Sequence, residues 1–450
     1  GWYGHQTGFT LEAKEVGGRP PRPGSRLATM QAGAPNSHPS AFAAYLRNAG
    51  HFRSTGRYTP FIYSGQYYNN NRGVFQWSGH QLNVLKGGIT SVYPTTSYIA
   101  RHSFAYMNMF INGRWVAQSR GPKQTRTWGN IVLPYFYKSN SRINIKMRAH
   151  NNYFAHIAGG QWATMSASWL PATDGEVYSG WLTNAHHFSR SSYGGLRTLS
   201  FSNTRQNSNG GVFQKVGSAI KVKRAGTITV AASVGVITQR CSYVYLRLEI
   251  NNRAVSYTLT PRQHQQWGQL NTHFHMRVPA NAYVRVKARP LCVKHMANGG
   301  MAHLNIRWTK DSVSDAISAH LTNRHVFTTS SRSTNRLMQW RSRIQSSKGW
   351  LTLLSNGQLR ANRDGLLDVQ FNYDVIARTS YNWAGLYVNN RRVKLFMAPR
   401  NVRNWAQVWA AHSVYVRRGN TVDLRTNPYT ISALDNGIWS TMSAQLTIRQ

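Results

Sequence analysis

Five short markers recur three times along this 450-residue chain, in one order and at nearly fixed spacing. Gly73-Val74-Phe75-Gln76, Gly211-Val212-Phe213-Gln214 and Gly349-Trp350-Leu351 are separated by 138 residues both times. Gly88-Ile89, Gly226-Thr227-Ile228 and Gly365-Leu366 recur at 138 and 139; Asn112-Gly113-Arg114, Asn251-Asn252-Arg253 and Asn389-Asn390-Arg391 recur at 139 and 138. Trp128-Gly129, Trp267-Gly268 and Trp405-Ala406 keep the same step, and Met165-Ser166-Ala167, Met301-Ala302-His303 and Met442-Ser443-Ala444 rhyme near the ends. A repeat this long is a whole domain rather than one turn of a solenoid. The chain is therefore read as three domains behind a leading segment that has no counterpart in the repeat.

Each unit reads as β. Apolar residues alternate with polar ones in Val244-Tyr245-Leu246-Arg247-Leu248-Glu249-Ile250, in Ile143-Asn144-Ile145-Lys146-Met147 and in Tyr283-Val284-Arg285-Val286-Lys287. The Asn-Gly and Asn-Asn pairs fall between such runs, where hairpin turns need positive φ. No long segment has helical periodicity. Short strands with regular turns predict a sandwich or jelly roll.

Taken together the units resemble C1q-like globular heads of the C1q/TNF-like jelly-roll superfamily. The likeness lies in an opening strand (Ala41-Phe42-Ala43-Ala44; Ile317-Ser318-Ala319-His320-Leu321), the Gly-Val-Phe strand and the Gly-led core strand, which in the third unit is Gly365-Leu366-Leu367-Asp368-Val369. A strand ending in Asn-Gly or Asn-Asn, a Trp-led strand, the Gly/Asn-started strand Arg418-Gly419-Asn420-Thr421-Val422 and a last strand after Asn436-Gly437 complete it. The resemblance implies an all-β chain of three tandem jelly rolls: an extended segment at 1–39, then domains at 40–171, 172–310 and 311–450. Because such heads commonly form trimers, it also implies an intramolecular pseudo-trimer. The chain is similar to secreted mollusc structural proteins of the byssus type, which implies an extracellular, self-assembling fibre or matrix component. The alternative is a secreted lectin-like recognition protein for acidic glycans. No collagen-like Gly-X-Y run is present. The start at Gly1, without a signal peptide, is expected of a processed, secreted chain or of a trimmed one.

Charge narrows the chemistry. There are 54 Lys and Arg against 12 Asp and Glu, a net charge of +42, although charged residues total only 15%. Between Glu15 and Asp174 there is no carboxylate at all. Paired-carboxylate catalysis is thus nearly excluded, no nucleophile-elbow motif occurs, and the chain is read as a non-enzyme without cofactor. Asp364, Asp368 and Asp374 are expected at turns and exposed strand positions. His273 and His275, two apart on one strand face, are the candidate metal pair, but no third ligand is evident and ordinary surface or half-buried histidines are the plainer reading. Cys241 and Cys292 are candidates for a disulfide, with two buried thiols as the alternative. Lys221, Lys223, Arg224, Arg332, Arg336, Arg341 and Arg343 are candidate polyanion contacts, with sulfated or acidic polysaccharide as the expected partner ahead of nucleic acid. No apolar run reaches the length of a membrane helix, about 20 residues.

Within the leading segment, Gly17 to Gly24 is rich in Pro and Gly and reads as a tether. The peptide before it carries Trp2, Tyr3, Phe9, Leu11, Glu12 and Glu15. A short strand on a tether suits β-augmentation of a second copy, so the expected partner there is the chain itself, head to tail.

Overall fold

The structure is a computed structural model; it describes residues 38–449 except 54–55, 102–103, 122–127, 240, 242, 262–266, 329–334, 379–380 and 400–404. The period-two run at Tyr283 lies in the strand Ala282–Ala288, whose residues alternate between buried and half-buried along its length. The Asn-rich pairs make the hairpins foreseen for them. Asn112, Asn251, Asn252, Asn389 and Asn390 have φ between 50° and 63°, and Gly113 has 78°. Each pair joins two antiparallel strands, for example Tyr243–Ile250 and Arg253–Pro261.

Two sheets form in each repeat. In the first, the inner sheet runs Tyr135–Ser139, Gly88–Ala100, Gly160–Leu170, Ser40–Leu46, Gly65–Asn69, with Phe154–Ile157 and Gly129–Val132 also on Gly88–Ala100. The outer sheet runs Phe75–Ser78, Gln81–Val84, Ile143–His150, Ala105–Ile111, Arg114–Gly121. The second and third repeats give the same order around Gly226–Thr238 and Gly365–Ala377. Non-consecutive neighbours in two facing antiparallel sheets are the jelly-roll arrangement, here made three times.

The inner sheets show how the three jelly rolls meet. Gly226–Thr238 alternates apolar and polar residues, yet all 13 are buried. Ile228, Val230, Ala232 and Val234 face the second domain's own core. The polar face, with Thr227, Thr229 and Ser233, is buried by the other two domains instead. Strand pairing makes Ser91, Thr229 and Asp368 equivalent, each three residues after the strand's opening glycine. Their partners across the sheet, Ser168, Arg307 and Gln445, are equivalent too. These six residues, two from each domain, join in one network. Arg307 donates from Nη1 to Ser91 Oγ at 2.8 Å, and from Nη2 to Asp368 Oδ2 at 2.6 Å and Gln445 Oε1 at 3.2 Å. Thr229 Oγ1 donates to Gln445 Oε1 at 2.8 Å, and Ser413 donates to Asp368. One layer along the axis, Tyr93 stacks on His273 and Trp409 packs tilted against the same imidazole, one ring from each domain, with centroids 5.2 and 5.6 Å apart. The chain is thus a covalent pseudo-trimer around a local threefold axis.

Around the axis each domain sets the start of its last strand against the next domain's outer sheet. Trp162 packs on Trp383, Trp439 on Tyr245 and Tyr257, and Met301 on Arg120. Tyr68 Oη donates to Tyr415 O at 3.2 Å, linking positions 347 apart. Two expectations need correction. Pairing makes Leu304, not Met301, the counterpart of Met165 and Met442, so the Met-Ser-Ala rhyme is three residues out in the second domain. Asp368 and Asp374 are not exposed but buried, because the face that reads as solvent-facing is the trimer face.

A buried ion pair that loses one partner leaves an uncompensated charge, at a cost of about 3–5 kcal/mol. Arg307→Met should therefore lower the unfolding free energy by about that much, whereas Arg307→Met combined with Asp368→Leu should recover part of it. Urea denaturation followed by tryptophan fluorescence measures both.

Candidate polyanion-binding face and buried titratable groups

The outer sheet of the second domain turns a basic, aromatic face outward. On Ala282–Ala288, Val284 and Val286 point to the core, so Tyr283, Arg285 and Lys287 point away. Lys221 pairs opposite Tyr283, Glu249 opposite Arg285, and Arg247 opposite Lys287. The Lys221 ammonium and the Arg285 guanidinium both lie over the Tyr283 ring, 5.7 and 5.3 Å from its centroid. Arg285 Nη1 also donates to Asn252 Oδ1 at 2.5 Å. Glu249 is buried between Arg247 Nε and Lys287 Nζ, each at 2.8 Å. That carboxylate holds two cations in place and neutralises one, leaving the face positive.

Carboxylates elsewhere are engaged in the same way. Glu176 pairs with Lys138, Asp311 with Arg277, Asp368 with Arg307 and Asp423 with Arg425. Asp315 accepts from the backbone of Ser347, Lys348 and Trp350. Twelve carboxylates cannot neutralise 54 cations, so the excess is carried by faces such as this one.

The candidate basic residues do not form one site. Lys221 lies on the face just described, with Lys223 half-buried and Arg224 exposed just beyond its strand. Arg336 and Arg341 belong to the third domain, on Arg336–Leu337 and Trp340–Ile344. Arg343 donates from Nη2 to Ala254 O at 3.1 Å, an inter-domain contact, and burial and Arg253 lower its pKa. Arg332 lies outside the described residues, as do Trp2, Tyr3, Phe9, Leu11, Glu12 and Glu15. Tyr283, Arg285, Lys287 and Arg247 were not singled out from sequence; their signal was the outward half of the alternation.

Cys241 and Cys292 are joined by a disulfide within the second domain. His273 and His275 share one face of Gly268–Val278, 4.7 Å between ring centroids, but are buried on the axis rather than at the surface. His275 Nδ1 lies 2.9 Å from Thr229 Oγ1. Among the described residues no three His, Cys, Asp or Glu side chains gather as metal ligands would. Burial lowers both pKa values well below the usual imidazole range, and brings His303 to about 4. Lys394, buried in the third domain with Nζ donating to Ala411 O at 3.0 Å, is pushed down to about 7.

No family model and no curated protein matches the chain. Among solved structures it is similar to murine APRIL at pH 5.0, at 12% identity and TM-score 0.23, over 30% of this chain and 99% of that one. It is also similar to bushbaby GITRL (12%, TM-score 0.21, 30% and 96%) and to Eiger TNF from S. frugiperda (9%, 0.23, 31% and 94%). Each match spans about one domain of this chain.

A histidine held neutral by burial takes up a proton more readily when unfolded. Its stabilising contribution is present above the unfolded pKa, about 6.5, and is lost as pH falls towards the folded value. His273, His275 and His303 should therefore make the protein acid-labile from about pH 6.5 down to 4. Melting temperature recorded across that range should fall, and less steeply in His273→Phe.

Proposed function

We propose that the protein is an extracellular, non-catalytic building block that binds acidic polysaccharide through the basic, aromatic faces of its outer sheets. The observation that carries this reading is the second-domain face, where, among the described residues, Lys221, Arg247, Arg285 and Lys287 stand against the one carboxylate of Glu249. Guanidinium groups bind sulfate and carboxylate oxygens in bidentate fashion. Tyr283 adds an apolar platform on which a sugar ring can rest. The domains are held in one body, so the face is preorganised and little ordering opposes binding.

Self-assembly belongs to the same proposal. The trimer-forming faces are used up within one chain, so contacts between chains need other surfaces. Phe75–Ser78, Phe213–Val216 and Leu351–Leu353 sit at the ends of their sheets' strand order. A leading segment carrying Glu12 and Glu15 would meet cationic surface beside such an edge. A soluble recognition protein would bind the same polymer without assembling.

Binding of heparin as a model sulfated polymer should be tight at low salt and weaken steeply as salt rises, because released counterions drive it. Replacing Lys221, Arg285 and Lys287 by Gln should lower the slope of log affinity against log salt by about one per contact removed. An unchanged slope would place binding elsewhere. Removal of residues 1–39 should abolish filaments in electron micrographs while leaving heparin affinity intact; filaments that persist would assign assembly to the domains themselves.

A further inference from the structure

The polar axis opens into a cavity at one end. It has a volume of about 60 Å³ and lies where Gly129–Val132, Gly268–Val278 and Ala406–Val416 begin. Pairing with the core strands makes Asn130, Gln269 and Gln407 equivalent, and all three line it. A ligand there would touch all three domains. The volume is about twice the roughly 30 Å³ share of one liquid water, room for two waters or one small polyatomic ion.

The chemistry of the wall is one-sided. Arg120 lines the cavity, at a position where the second and third domains carry Leu259 and Met397. Among the described residues no carboxylate does. The nearby Asp374 is buried beside Asp435, both of which raise its pKa far above the usual range, and its Oδ1 accepts from Gln407 Nε2 at 2.9 Å. Asp374 itself does not line the cavity. The Arg120 guanidinium is stacked on the rings of Trp267 and Phe104, 4.4 and 5.0 Å from their centroids, and its Nε donates to Gln118 Oε1 at 3.3 Å. Among the described residues its Nη1 is buried without a hydrogen-bond partner, and so is Asn130 Oδ1. The two ends of an amide are interchangeable in position, so Asn130 can turn its N–H inward. Burial brings Arg120 down only to about 10, leaving it cationic at neutral pH. The residue as a whole is half-buried, but its Nη1 is a buried donor, and a buried polar group is ordinarily satisfied by a hydrogen-bonding partner.

We propose that this axial cavity binds one small oxyanion, held by Arg120 Nη1, the Asn130 amide, and the second N–H of Gln269 Nε2 and of Gln407 Nε2, whose first N–H groups go to Ser233 Oγ and Asp374 Oδ1. The site is separate from the outer-sheet face and does not depend on polysaccharide binding. A divalent cation is disfavoured there by the absence of carboxylate oxygens from the wall.

The test uses crystals of the full chain soaked in selenate or, separately, in bromoacetate, with anomalous scattering to locate selenium or bromine. A peak in the cavity within hydrogen-bonding reach of Arg120 is expected from at least one of them, and which one gives it identifies inorganic oxyanion or carboxylate as the chemistry taken. That peak should vanish in Arg120→Gln while peaks at surface Lys and Arg remain. Asn130→Asp, which sets a carboxylate in the wall, should also remove it and serves where Arg120→Gln does not fold. Peaks from neither anion in the wild type, or a cavity peak unchanged in these variants, would overturn the proposal.

Discussion

The buried pair of Arg307 and Asp368, at 2.6 Å on the local threefold axis, is the contact around which the three domains are arranged. It is a contact that three copies of any one of these domains cannot make, since the second carries the arginine without the aspartate and the third the aspartate without the arginine. Three like charges at such range in a dry interior repel strongly. Fusing three unequal copies in one chain lets one copy supply the cation, another the anion, and the third the hydroxyls of Ser91 and Ser168. Gln445 and Thr229 accept further hydrogen bonds from Arg307 Nη2, while its Nε is buried without a hydrogen-bond partner among the described residues. Desolvating two charges is expensive, so the pair is weak evidence of net stabilisation. We read its role as fixing the register of the second and third domains along the axis: a slip of one against the other would leave both charges unpaired.

The same asymmetry runs along the axis. The ring layer of Tyr93, His273 and Trp409 draws a different residue type from each domain, as does the wall formed by Arg120, Leu259 and Met397. At the periphery, Trp162 against Trp383 and Trp439 against Tyr257 keep one directional contact, while the third interface substitutes Met301. The interior thus spends much of the small stock of carboxylates on internal order. The outer faces inherit the surplus of cations, which is why a strand as regular as Ala282–Ala288 can present Tyr, Arg and Lys with Glu249 as the local counter-charge.

Much of this was legible in the sequence. Hairpins and core strands are fixed by local signals, the Asn-Gly and Asn-Asn turns and the period of two, so the threefold repeat and its β character could be read directly. The burial of the polar face could not. Thr227, Thr229 and Ser233 carry the pattern of a strand with one wet side, and nothing local says that another domain covers that side. Asp368 and Asp374 were misplaced for this reason. His273 and His275 were placed on one face of one strand, which local alternation does determine, but their depth depends on residues from the other two domains. Tyr283, Arg285 and Lys287 were within reach, since the outward positions of an alternating strand are its surface.

Small-angle X-ray scattering from a chain beginning at residue 38 tests the closed arrangement most directly. A single compact body of this size has a radius of gyration of about 22 Å, with one maximum in its pair-distance distribution, and that is the expected result. Three domains of the same mass strung in a line would exceed roughly 30 Å, taking each as a compact body of its own, and show a shoulder at long distance. That profile would contradict the pseudo-trimer and the axial pair together.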